Sequence, residues 1–130
     1  MKVYNNIKDY RSLKESFLTI GTFDGVHIGH QAIIKKLVKS AHSSNSNAVV
    51  LTFFPHPRSV IQDKKSLSLI DSMKEKEKLL QQLNVDVLII HPFTVDFSNL
   101  SAKKFTQDIL VNTLKVSKLF IGYDHRFGKN

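Results

Sequence analysis

Apolar residues follow two rhythms that alternate along the whole chain. Phe17-Leu18-Thr19-Ile20 is a short apolar run closed by Gly21, and it predicts a first strand. Ile33, Ile34, Leu37, Val38 and Ala41 then recur at i, i+1, i+4, i+5 and i+8, one face of a helix, with Lys35, Lys36 and Lys39 on the other. His42 to Asn47 (HSSNSN) is a cluster of turn formers that ends this helix. Ala48 to Phe54 is β-branched and aromatic, stops at Pro55, and predicts a strand buried on both faces. Pro55 and Pro57 impose an extended segment. Ser72 and Glu75 have capping-box spacing and open a second helix to about Leu83, with Lys74, Glu75, Lys76, Glu77 and Lys78 as a solvated face. Val85 to Ile90 predicts a third strand. Ser101 can cap a third helix that turns Phe105, Ile109 and Leu110 inward and Lys103, Lys104 and Asp108 outward. Leu119-Phe120-Ile121, ended by Gly122, predicts a fourth strand.

Strand and helix alternating in this way imply the α/β class, a doubly wound parallel sheet with helices on both faces and right-handed crossovers. Ligands of such sheets sit outside the carboxyl ends of the strands. The polar run Asp124 to Asn130 follows the fourth strand directly and leaves that sheet edge uncovered, so the domain reads as truncated at its carboxyl end or as completed elsewhere.

Composition narrows the class. The 130 residues, 42% apolar and 23% charged, suit one globular domain and exclude a disordered chain. No apolar run reaches the ~18 to 20 residues of a membrane span. Met1 to Arg11 is polar and has no signal-peptide core. The absence of cysteine rules out a disulfide framework, a zinc-thiolate site and a cysteine nucleophile, and a cytoplasmic protein is the simplest reading. Lys and Arg number 19 against 11 Asp and Glu, a net charge of +8. That excess suits nucleotides, nucleic acid or acidic membrane surfaces without choosing among them, and equally suits solubilising lysines on helix faces.

The turn Gly21-Thr22-Phe23-Asp24-Gly25-Val26-His27-Ile28-Gly29-His30 carries most of the chemistry. Its glycines let backbone approach a ligand closely, and it feeds a helix start whose free N–H groups favour a phosphate. His27 and His30, three apart, share a face of the first helical turn and can donate to phosphate oxygens as charge builds there. Alone, such a pair is more often two surface histidines than a site, and a metal site would need further ligands, for which the chain offers no obvious cluster. Its place after a strand, in a glycine-rich turn at a helix start, favours phosphate. The turn is neither a P-loop nor the Gly-x-Gly-x-x-Gly fingerprint.

His27-Ile28-Gly29-His30 resembles the signature of the HIGH-motif nucleotidyltransferase superfamily, whose members hold ATP or CTP at this turn and release pyrophosphate. Class I aminoacyl-tRNA synthetases share it and add a Lys-Met-Ser-Lys-Ser-type loop. Lys115-Val116-Ser117-Lys118 is similar to that loop only superficially, because it joins a helix to what reads as a buried strand. Thr52-Phe53-Phe54-Pro55-His56-Pro57 and Gly122-Tyr123-Asp124-His125-Arg126-Phe127-Gly128-Lys129 resemble, more narrowly, the bacterial bifunctional riboflavin kinase/FAD synthetase family. Asp86, Phe97, Leu100, Ser101 and Phe105 also lie where that family has similar residues, so the resemblance spans nearly the whole chain.

The resemblance implies a Rossmann-like sheet of the HIGH-motif type and an FMN adenylyltransferase that makes FAD and pyrophosphate from FMN and ATP. It implies ATP contacts at Gly21, Thr22, Phe23, Asp24 and Gly29, with His27 and His30 stabilising charge on the phosphates and Mg²⁺ arriving with ATP. Pro55, His56, Pro57, Asp124, Arg126 and Phe127 would form the flavin side. The chemistry is compatible, since an aromatic wall suits a flavin ring and arginine suits a phosphate or a ring face. Read alone, Pro55-His56-Pro57 is a rigid loop with an exposed histidine, and Asp124 with Arg126 a surface ion pair. His125 stands where the family has phenylalanine. The family continues past the position of Asn130 into an ATP-gripping segment and a riboflavin kinase domain, which the same natural chain is expected to carry. No nucleic-acid or membrane partner is expected. Rival readings are a pantetheine-phosphate adenylyltransferase, a cytidylyltransferase, and a nucleotide-binding module without turnover.

Overall fold

The structure, a computed structural model, describes residues 1–11, 14–21, 28–53, 67–92, 104, 107, 114 and 116–120, with side chains except at 28–30 and 67–73. Its elements are β1 (Lys2–Tyr4), a 3-10 turn (Ile7–Asp9), β2 (Ser16–Ile20), α1 (Ile28–Ser43), β3 (Asn47–Phe53), α2 (Leu67–Gln82), β4 (Val87–His91) and β5 (Val116–Phe120). All strand pairs are parallel, in the order β1-β4-β3-β2-β5.

The strands alternate between two apolar layers. Phe17, Ala48, Val50 and Leu88 pack with Ile34, Leu37, Val38 and Ala41 of α1 and Leu80 of α2. Leu18, Ile20, Val49, Leu51, Phe53, Val87 and Ile89 face the other way and meet Ile7, Tyr10 and Leu114. Alternation of this kind follows from the two-residue repeat of a strand. The connections obey one hand. The steps from β2 to β3 and from β3 to β4 move across the sheet in one direction, and their helices cover the first layer. The steps from β1 to β2 and from β4 to β5 run in the opposite direction. Ile7 and Tyr10, on the first of these, and Leu114, just before β5, lie on the second layer. A uniform crossover hand requires this separation, and it makes the sheet doubly wound.

Both helices stop in the same way. Asn45 and Asn84 adopt positive φ, 55° and 67°. Behind them Ser46 N–H donates to Ala41 O at 2.8 Å and Val85 N–H to Leu80 O at 3.2 Å. These are Schellman closures, in which a left-handed asparagine reverses the chain and caps the last carbonyls. Each closure delivers the chain directly into the next strand.

Several expectations need correction. Five strands are present rather than four, because the polar start of the chain supplies β1 on the outer side of β4. α2 begins at Leu67, so Ser72 lies inside the helix and cannot be its cap. Lys76 is not on the solvated face but only 6% exposed. It stands four residues before the buried Leu80, on the same helical stripe, where its aliphatic stem can line apolar surface. β4 starts at Val87 and reaches His91, and β5 starts at Val116. Of the expected third helix only Lys104 and Gln107 lie among the described residues, both exposed. Ser101, Lys103, Phe105, Asp108, Ile109 and Leu110 lie outside them, as do Ile121 and Gly122.

Val116, Ser117 and Lys118 are part of β5 itself, not of a loop before it. The strand is half-exposed rather than buried, with Ser117 and Lys118 open to solvent. The register with β2 shifts between Ser16↔Val116 and Phe17↔Lys118, so Ser117 is an extra residue. That bulge is why Val116 and Leu119, three apart, face the same layer.

Candidate functional site

In the strand order, the direction of travel reverses between β2 and β5. The crevice at the carboxyl ends of those two strands is the topological switch point, where open α/β sheets bind their ligands. β2 delivers the chain to Gly21, whose N–H donates to Leu51 O at 3.1 Å and extends the ladder to β3 by one residue. β5 is fastened beside it, the buried Thr19 hydroxyl donating to Phe120 O at 2.8 Å. On the other flank β3 runs two residues past Leu51, the partner of Ile20, and ends at Phe53.

The three sequence segments therefore leave from three neighbouring strand ends, β3, β2 and β5, about 5 Å apart in the hydrogen-bonding direction. Gly21 is half-buried at the end of β2. Gly29 and His30 lie in the first turn of α1, where the backbone N–H groups have no partner within the helix. Thr22, Phe23, Asp24 and His27 lie outside the described residues, as do Pro55, His56, Pro57, Asp124, Arg126 and Phe127. The structure thus places the departure points of the expected ATP and flavin segments together.

A histidine that the sequence reading passed over stands at the same end of the sheet. His91 closes β4 and pairs in register with Phe53. Its Nδ1 accepts the Ile7 N–H at 3.2 Å. Burial, and then the nearby positive charge of Lys8, hold its pKa below the ordinary 6.5. A lone histidine before a proline gives no sequence signal of such a contact.

The opposite end of the sheet is built differently. There Asp86 Oδ2 accepts both the Ala48 N–H and His42 Nε2 at 2.8 Å, tying the end of α1 to the start of β4. The Tyr10 and Ser16 hydroxyls lie 2.7 Å apart, and Asn47 Nδ2 donates to Tyr10 at 3.3 Å. A cavity of about 310 Å³ opens nearby, lined among others by Lys2, Tyr4, Arg11 and Asn47. It lies at the amino ends of the strands, away from the three segments. Among the described residues, no group of three or more His, Cys, Asp or Glu is placed to hold a metal ion, and no helix is long and apolar enough to cross a membrane.

Fold and strand-end geometry define a Rossmann-like α/β protein with its candidate site at the sheet's switch point. The chain belongs to the FAD synthetase family, whose model matches residues 9–130. Bifunctional riboflavin kinase/FMN adenylyltransferases are similar to it. That of Buchnera aphidicola subsp. Schizaphis graminum is 34% identical over 98% of this chain and 41% of its own length. That of Haemophilus influenzae is 37% identical over 91% of this chain and 38% of its own. The chain thus spans about two-fifths of these relatives. A crystal structure described as a macrolide-efflux protein from Streptococcus pneumoniae superposes with a TM-score of 0.78 at 25% identity, over 97% of this chain and 42% of that one.

Proposed function

We propose that the chain is the adenylyltransferase part of a flavin enzyme, transferring AMP from ATP to FMN to give FAD and pyrophosphate. The observation that carries this reading is the departure of all three motif segments from the adjacent ends of β3, β2 and β5. An FMN phosphate oxygen attacks the ATP α-phosphorus in line, and the bond to the pyrophosphate oxygen breaks. FMN phosphate is already ionised, so positioning and charge stabilisation suffice, with no covalent intermediate. The free N–H groups at the start of α1 and the imidazoles of His27 and His30 take up charge on the transferring and leaving phosphates. Mg²⁺ would arrive with ATP as part of the substrate and would offset the charge of its phosphates. Thr22, Phe23 and Asp24 complete the ATP side. Pro55, His56, Pro57, Asp124, Arg126 and Phe127 form the flavin side.

The riboflavin kinase in the relatives' names is assigned to the part of their chains beyond this span, and the reaction to the cytoplasm. A nucleic-acid partner is disfavoured, because the exposed Lys35, Lys36, Lys39, Lys74 and Lys78 are spread over two helices with no interleaved aromatic platform. The test is His30→Ala against wild type in the intact natural protein, with ATP and FMN, following pyrophosphate release. A loss on the order of 10²-fold in rate with an unchanged circular dichroism spectrum is expected. Undiminished turnover removes the assignment. Turnover with phosphopantetheine or a CTP substrate in place of FMN would transfer it to a sister enzyme.

A further inference from the structure

We propose that His91 is a neutral clamp holding the amino-terminal crossing of the sheet, residues 5–11, against β4, and that protonating its ring releases that crossing. The proposal goes beyond the flavin chemistry and does not depend on it. The Ile7 N–H reaches across 84 positions of sequence to His91 Nδ1, so that nitrogen must carry a lone pair and the neutral ring holds its proton on Nε2. Ile7 is 3% exposed, which leaves its N–H no ready access to water if the acceptor is lost. Among the described residues, the other backbone bonds of the turn are local. Lys8 N–H donates to Asn6 Oδ1, Asp9 N–H to Asn6 O and Tyr10 N–H to Ile7 O, which shape the turn without fastening it to the sheet.

Among the described groups, burial and one cation oppose a positive charge on the ring. Among the described residues, the turn brings Lys8 and Asp9, and β1 brings Tyr4, opposite Ile89, whereas Lys2 lies at the other end of the strand pair, opposite Val87. The paired strand β3 has no ionisable side chain, and α1 and α2 cover the other face. Burial and Lys8 both disfavour the imidazolium. Protonation at Nδ1 would turn an acceptor into a donor facing a donor, with a second cation beside Lys8. Tyr10, bonded to Ser16, holds the far end of the crossing, so release begins at the His91 end. That end lies one strand from Phe53, where the Pro55-His56-Pro57 segment departs.

The experiment is NMR on this chain between about pH 5 and 8, following the His91 ring nitrogens and the amide exchange of Ile7 and Leu18. The expected neutral form carries its proton on Nε2. Below the His91 midpoint, the protection factor of the Ile7 amide should fall about tenfold per pH unit, ahead of Leu18 in the centre of β2. In His91→Asn, whose Oδ1 replaces the acceptor without titrating, Ile7 protection should stay level over the same range. A neutral ring protonated on Nδ1 overturns the clamp, as does Ile7 protection that ignores the wild-type titration. A fall that persists in His91→Asn does so too. If that variant does not fold, the wild-type titration decides alone.

Discussion

Asparagine at the two left-handed positions and aspartate at the start of β4 do most of the local steering. Asn45 sits at a φ of 55° that a β-carbon disfavours. Asn45→Ala should cost about 1 kcal/mol of stability and Asn45→Gly little or nothing, read as shifts in the urea midpoint. Asp86 and His42 are unequal partners. Removing the imidazole loses a half-exposed contact, so His42→Ala should cost less than about 1 kcal/mol. Removing the carboxylate also strips the acceptor from the N–H of Ala48, a fully buried residue. Asp86→Ala should therefore cost about 1–3 kcal/mol. Equal losses in the two variants, measured by chemical denaturation, would show that the backbone contact contributes nothing.

At the scale of elements, stability rests on the face of α1 that the apolar spacing announces. Leu37 is fully buried between α1 and the sheet, and Leu37→Ala should cost about 2–5 kcal/mol in the same assay. β2 is legible from a short apolar run closed by Gly21, α1 and β3 from longer unbroken rhythms, and the HSSNSN cluster marks the stop at Asn45. β1 is not legible. Its three residues, Lys-Val-Tyr, are an edge strand exposed at two of three positions, and no periodicity survives at that length. The start of α2 is hidden in the sequence because Ser72 and Glu75 imitate a cap within a helix already under way. Lys76 departs from the expected wet face because Leu80 puts its stripe on the core, whatever the charge of its head group. At the candidate site, the sequence indicates which strands the three motif segments follow. It did not reveal β5 beside β2, since a pairing across about 100 residues leaves no local trace.

For the whole molecule, His91 gives stability a direction with pH. Its pKa lies lower in the folded chain than the 6.5 of an unfolded one. Between those two values the unfolded chain binds more protons, so stability rises with pH across that window. The contribution is complete above about pH 6.5 and drains away as pH falls through the folded value. Thermal melts of wild type and His91→Asn should converge at acid pH and separate towards neutrality, with wild type gaining more. Parallel melts would show that the histidine titrates alike in both states. The Thr19 to Phe120 fastening has a kinetic consequence as well. It closes a loop of 101 positions, whereas β2, β3 and β4 are joined by much shorter stretches. Long loops close late. A three-stranded β2–β3–β4 sheet can therefore form before the distant β1 and β5 join it, and the crevice between β2 and β5 takes shape only when β5 pairs. Pulse-labelled exchange should record β3 amides shielded earlier than those of β5.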